Sequence, residues 1–182
     1  AATDALARYL KNDQMPDGRW RLIATRPPLE SSEFEVAAVA MRGLQVYAPK
    51  AQRAEYEKAV WRAADWLRTA KPRTTADRTF QLLGLTWAGD SKDVLKKLAA
   101  DLLAEQRADG GWSQLPTMAS DAYATGQALA AVHRSGAVAA ADPAYQRGVK
   151  YLLSTQLEDG SWHVRSRSIP FQPYFESGFP HG

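Results

Sequence analysis

The chain has 182 residues, with 23 Lys+Arg against 20 Asp+Glu for a formal charge of +3, and 45% of its residues are hydrophobic; that composition supports a hydrophobic core and excludes global disorder. No run approaches the roughly 18 consecutive apolar residues of a membrane-spanning helix. The absence of Cys removes disulfide scaffolds, thiolate metal sites and cysteine nucleophiles, and the positive charges are scattered, with Arg165-Ser166-Arg167 the only tight pair after the third glycine turn, so no nucleic-acid partner is expected.

Periodicity predicts seven helices, at about 3–13, 33–47, 51–70, 76–88, 91–107, 121–135 and 143–156. They are of two kinds. In 51–70 the apolar residues Tyr56, Ala59, Val60, Ala63, Ala64 and Leu67 share one face, and Arg53, Glu57, Lys58, Arg62 and Arg68 lie mostly elsewhere. Residues 91–106 repeat the pattern through Val94, Leu95, Leu98, Ala99, Leu102 and Leu103. By contrast, Thr79–Ala88 and the stretch between Asp121 and Arg134 carry no formal charge, the pattern of helices buried on all sides. Alternation of one-faced and all-round apolar helices predicts an all-α architecture, an α/α toroid with charged helices outside and uncharged helices lining the interior. Asp142 before Pro143 and Asp90-Ser91 supply helix starts, and Tyr174–Gly182 reads as the opening of one more inner helix.

Three heptads repeat along the chain: Gln14-Met-Pro-Asp17-Gly18-Arg-Trp20, Gln106-Arg-Ala-Asp109-Gly110-Gly-Trp112 and Gln156-Leu-Glu-Asp159-Gly160-Ser-Trp162, all Q-x-x-D-G-x-W. Glu33, Asp77 and Asp121 follow 44 residues apart, in segments that also align. Aligning Tyr9, Trp66 and Tyr151 puts Lys71 where a fourth Gln would stand, so the second unit is expected to lack its heptad. A closed ring at this period needs roughly 264 residues. Residues 1–182 therefore read as a single incomplete toroid domain, either part of a longer chain or completed by a partner. The initial Ala is read as the mark of a processed or excised chain, and the compartment, exported or cytoplasmic, stays open.

These heptads resemble the QW motifs of squalene-hopene and oxidosqualene cyclases, in the wider terpenoid cyclase and protein prenyltransferase superfamily. The resemblance spans nearly the whole chain. It implies that Gln14, Asp17, Gly18, Trp20, Gln106, Asp109, Gly110, Trp112, Gln156, Asp159, Gly160 and Trp162 are structural, each heptad stapling one hairpin to the next. Residue chemistry agrees, since Gly past a helix end permits a left-handed turn and an indole buries the junction.

The same resemblance implies an acid at the start of an inner helix, the central Asp of D-x-D-D-T, which protonates an alkene. Here the segment is Asp121-Ala122-Tyr123-Ala124-Thr125, so the expected proton donor is replaced by Tyr123. Asp121 is the remaining catalytic candidate; the competing role is that of an acidic helix N-terminus, as at Glu33 and Asp77. Phe34, Phe80, Trp87 and Tyr123 are the candidate cavity-lining aromatics that would stabilise a cation, and packing is the alternative for Tyr123.

Zinc chemistry of the prenyltransferase and lanthionine cyclase kind fails for want of Cys, and His133, His163 and His181 lack ligand spacing. Neither a metal nor a cofactor is expected. Ser120 and Ser177 have no local base for hydrolase chemistry.

Two main functions remain. One is a non-catalytic module that binds an isoprenoid or other hydrophobic ligand, or mediates assembly within a larger bacterial protein. The other is a class II triterpene cyclase acting on squalene or another polyprenoid. A carbohydrate-active toroid is a third, minor reading. Partners are read as a homo-oligomer or the remainder of a longer chain, with membrane contact at most peripheral.

Overall fold

Charged and uncharged helices alternate along the chain, and folding sorts them into two layers. A computed structural model describes residues 2–167; the expected opening of a further inner helix at Tyr174–Gly182, with Ser177 and His181, lies outside the described residues. Seven α-helices form there: α1 (Ala2–Asp13), α2 (Glu33–Tyr47), α3 (Arg53–Thr69), α4 (Thr75–Ala88), α5 (Lys92–Leu103), α6 (Ala122–Ser135) and α7 (Pro143–Thr155). The described residues contain no strand, only isolated bridges at Arg26–Leu29 and Trp112–Asp121. The sparsely charged helices α2, α4 and α6 pack side by side. Around them α1 lies on α2, α3 on α2 and α4, α5 on α4 and α6, and α7 on α6.

Small residues let the layers approach. Ala37, Ala38, Ala63, Ala64, Ala128 and Ala131 are fully buried, and a Cβ on Gly84 of α4 would come within 2.5 Å of Leu67 Cδ1 on α3 and 3.0 Å of Ala38 Cβ on α2. Tyr56, Met41, Leu44, Leu82, Leu102 and Trp112 fill the space left between them.

The three heptads fold alike. In each, the glycine amide donates to the carbonyl three residues back, from Gly18 to Met15, Gly110 to Arg107 and Gly160 to Leu157, at 2.9 Å every time. The indole reaches back to the preceding helix, from Trp20 to Leu10 O (2.7 Å), Trp112 to Leu102 O (2.8 Å) and Trp162 to Leu152 O (2.9 Å). The Asp accepts from the amide two residues on, at Arg19, Gly111 and Ser161. Gly18, Gly110 and Gly160 have φ of 99°, 89° and 85°, outside the range of ordinary side chains.

Two of the heptads also grip another outer helix. Gln14 Nε2 donates to Gly18 O and to Ala59 O of α3, both at 2.8 Å, and Arg62 of α3 donates back to Gln14 Oε1. Gln106 Nε2 likewise donates to Gly110 O (2.9 Å) and Ala144 O of α7 (2.7 Å), while Arg147 donates to Gln106 Oε1 (2.7 Å). A Cβ on Gly18 would lie 2.3 Å from Arg62 O, and one on Gly110 2.7 Å from Arg147 O.

The structure corrects several expectations. The helix expected over 91–107 stops at Leu103, because Glu105 and Gln106 turn through bonds to Leu102 O and Leu103 O to bring the Gln amide onto α7. Glu33, Asp77 and Asp121 are not equivalent: Asp121 is the N-cap of α6, Asp77 sits three residues past the N-cap Thr74, and Glu33 follows the N-cap Ser32. The uncharged stretches are not buried on all sides, for Ala130 and His133 of α6 are exposed, since α6 has its main neighbours only at α4, α5 and α7. At the junction lacking a heptad, Gln81 of α4 takes over the end of α3, donating to Leu67 O (2.7 Å) and Ala70 O (3.2 Å).

Gly18→Ala and Gly110→Ala are each expected to lose about 3 kcal/mol in urea unfolding, through strain and backbone collision, and Gly160→Ala about 1 kcal/mol through strain alone. Gln14→Ala and Gln106→Ala should each cost about 1–3 kcal/mol, with Gln156→Ala within about 0.5 kcal/mol of the parent. Equal losses at all three heptads would contradict this division.

Candidate functional site

The N-terminal ends of α2, α4 and α6 are linked at one end of the inner layer. Ser32 Oγ, capping α2 and only 2% exposed, donates to Asp77 Oδ1 at 2.6 Å. Thr74 caps α4 in a reciprocal box with Asp77, and Thr75 Oγ1 donates to Ser113 O at 2.7 Å. Asp121 Oδ1 accepts from Ala124 N at 2.9 Å, which makes it the cap of α6. Its own amide donates to Trp112 O (3.0 Å), and Thr125 Oγ1 accepts from Trp112 N (2.9 Å). The expected catalytic residue is thus part of the joint between the second heptad and α6. Its Oδ2 is buried and has no hydrogen-bond partner among the described residues.

Beside it lies a cavity of about 60 Å³ whose lining includes Tyr123, Gln127, Gln114, Thr74, Pro28 and Arg167. Tyr123 Oη accepts from Gln127 Nε2 at 2.8 Å; burial first, then the negative charges of Glu35 and Asp121, push the phenol up to about 12. Arg167 Nε donates to Gln114 Oε1 at 2.8 Å, and its amide to Pro27 O at 2.8 Å. Burial lowers the Arg167 guanidinium from its ordinary value, with the charge of Asp121 opposing. Glu35 of α2, whose charge acts on Tyr123, is chemically distinctive: burial holds its carboxyl above the ordinary glutamate value, the Ser31 backbone bond opposes this, and Glu30 adds repulsion. Its Oε2 is also buried and unpartnered among the described residues. The cavity beside Tyr123 admits about two waters.

The four candidate aromatics stand at separate places among the described residues. Phe34 is 6% exposed and packs on Trp66 of α3 with ring centroids 4.9 Å apart; Phe80 and Trp87 pack against the core. Of the four, Tyr123 alone lines the small cavity. The reason is register: the inner-helix aromatics turn toward neighbouring helices, where burial is available. Sequence reasoning missed Glu35, Gln114 and Arg167. Glu35 stands in the first turn of an otherwise largely apolar helix, the signal that could have found it.

A larger open cleft of about 510 Å³ lies between α2 and α3, lined by Leu44, Tyr56, Val60, Trp61, Arg42 and Glu57 among others. The third heptad forms a further open feature. Gln156 Nε2 bonds Gly160 O at 2.7 Å as in the other two, but Trp162 is 39% exposed where Trp20 and Trp112 are 2% and 0%. Among the described residues no group of three His, Cys, Asp or Glu could hold a metal, and His133 lies beside Tyr145 with ring centroids 6.3 Å apart. None of the described helices is long and apolar enough to cross a membrane. No family model matches this sequence, and no curated protein matches it significantly.

Because Glu35 binds its proton more tightly folded than unfolded, the stability tied to that proton is complete below the ordinary value of 4.5 and is lost as pH rises through the raised one. Glu35→Gln is therefore expected to melt above the parent at neutral pH, with the gap closing below about pH 4. Parallel melting curves across that range would remove the buried-carboxyl account.

Proposed function

We propose that the chain is a squalene-hopene cyclase-like repeat module of incomplete α/α-toroid type, non-catalytic, whose function is assembly with further α/α structure. The observation that carries this is the third heptad. It is folded as a complete staple on its own side, with Gln156, Gly160 and Trp162 in the same internal bonds as the two filled copies, and among the described residues no helix backbone meets Gly160. Two further features support a non-catalytic role: Asp121 Oδ1 is committed to capping α6, and the adjoining cavity of about 60 Å³ is far below the roughly 300–1,000 Å³ of ligand pockets. Exposed Val39 and Val46 on α2 support an isoprenoid or other hydrophobic ligand as the secondary role.

A second reading, acid-initiated cyclisation, draws on one observation, the buried oxygens of Glu35 and Asp121, unpartnered among the described residues, on two carboxylates whose charges both act on Tyr123. Incubation of the purified chain with squalene and shorter polyprenoids separates the two by gas chromatography with mass detection. Unchanged substrate is expected. A cyclic product that disappears in Asp121→Asn or Glu35→Gln would overturn the non-catalytic proposal and establish the acid.

A further inference from the structure

The open cleft of about 510 Å³ lies toward the C-terminal ends of α2 and α4, with Ala88 in its lining, at the other end of the inner layer from Asp121. Its wall on α3 is made of two rows at helical spacing. Tyr56, Val60 and Ala64 form an apolar row, which Leu44 and Ala48 of α2 extend; Arg53, Glu57 and Trp61 form the outer row, and all three are exposed. A space of this size falls within the roughly 300–1,000 Å³ of small-molecule sites. Trp61 is 59% exposed, stands outside the core and belongs to no heptad. It offers a flat apolar surface at the rim.

The polar groups of the cleft are placed but unspent. Arg42 donates to Gln45 Oε1 at 3.1 Å, and Gln45 Nε2 is fixed on Trp87 O at 2.9 Å, so the guanidinium is oriented from the end of α4. Most of its five N–H donors stay unused. Among the described residues neither Arg42 nor Arg53 pairs with a carboxylate, and Glu57, one turn from Arg53, is in no ion pair either. The lining therefore sets two cations against one anion. Tyr56 in the apolar row is only 1% exposed, yet its Oη is buried without a hydrogen-bond partner among the described residues, a state that buried hydroxyls rarely keep. Its ring is held from α1 by Lys11, whose Nζ lies 5.1 Å from the centroid and is tied to Glu55 at 2.7 Å.

We infer that this cleft binds a small amphiphile with a single carboxylate head, the apolar body against Leu44, Val60 and the Trp61 ring and the head on Arg42 and Arg53. An apolar floor by itself would accept any hydrocarbon. The two unpaired guanidinium groups select a planar anion, which can take their fork of donors, and the excess of one positive charge in the lining matches a head of one negative charge. The site is separate from Asp121 and from the third heptad, so it stands or falls independently of the assembly reading.

Isothermal titration of the full chain with dodecanoate, below its micelle concentration, tests this against dodecanol, which has the same body and a neutral head. One molecule of dodecanoate is expected to bind with a Kd below about 100 µM, and dodecanol at least about tenfold more weakly. Arg42→Ala and Arg53→Ala should each weaken dodecanoate about three- to tenfold with little effect on dodecanol, and Glu57→Gln should strengthen dodecanoate alone. Trp61→Ala should weaken both ligands alike. These four side chains are exposed, so the variants keep the fold, which circular dichroism checks. No saturable binding, equal affinity for acid and alcohol, or affinity indifferent to both arginines overturns the inference. Dimerisation in sedimentation that Trp61→Ala abolishes would also overturn it, by giving the cleft to a second copy. Cyclisation of squalene would defeat the non-catalytic reading and leave this result untouched.

Discussion

One side-chain amide, that of the heptad glutamine, sets how the outer helices relate to each other. Its Nε2 serves two carbonyls, one in its own turn and one on another outer helix, and at Gln14 and Gln106 its oxygen takes an arginine from that same helix. Helix ends leave carbonyls without intrahelical partners, and packing of apolar faces alone tolerates sliding along the axis. A three-way polar joint at the helix end removes that freedom, because any shift of a turn breaks all of its bonds together.

The rest of the fold follows from this constraint together with small residues. With α1 held to α3 and α5 to α7 at their ends, the inner helices α2, α4 and α6 can approach closely, and the alanines and Gly84 at their crossings make that approach sterically free. The junction between α3 and α4 has no heptad and is short; Gln81, inserted from the inner helix, satisfies the end of α3 instead. The same chemistry is reached from the other layer.

Much of the architecture was legible in the residues. Six of the seven expected helices match within about two residues, with limits that include Ser32, Asp121, Asp142, Gly89 and Gly136. The 91–107 helix was overextended because Ala104-Glu105-Gln106 has good helix propensity, which the staple overrides. The site was less legible. Asp121 could be placed at a helix start, but its tie to Trp112 is a contact across the fold that periodicity does not encode. For Phe34, Phe80 and Trp87 a helical pattern tells which side of the helix is buried, without telling whether that side faces a cavity or another helix. Arg62 and Arg147 looked like surface charge, and only the geometry of their guanidinium groups on Gln14 and Gln106 shows that they close the staples.

The central claim is that glutamine and arginine act as one joint, and a double-mutant cycle on Gln106→Ala and Arg147→Ala, read by urea unfolding, tests it most directly. A coupling energy of about 1 kcal/mol or more between the two substitutions is the predicted result. Losses that add to within about 0.3 kcal/mol would mean that the arginine is ordinary surface charge and that the outer helices are placed by apolar packing alone.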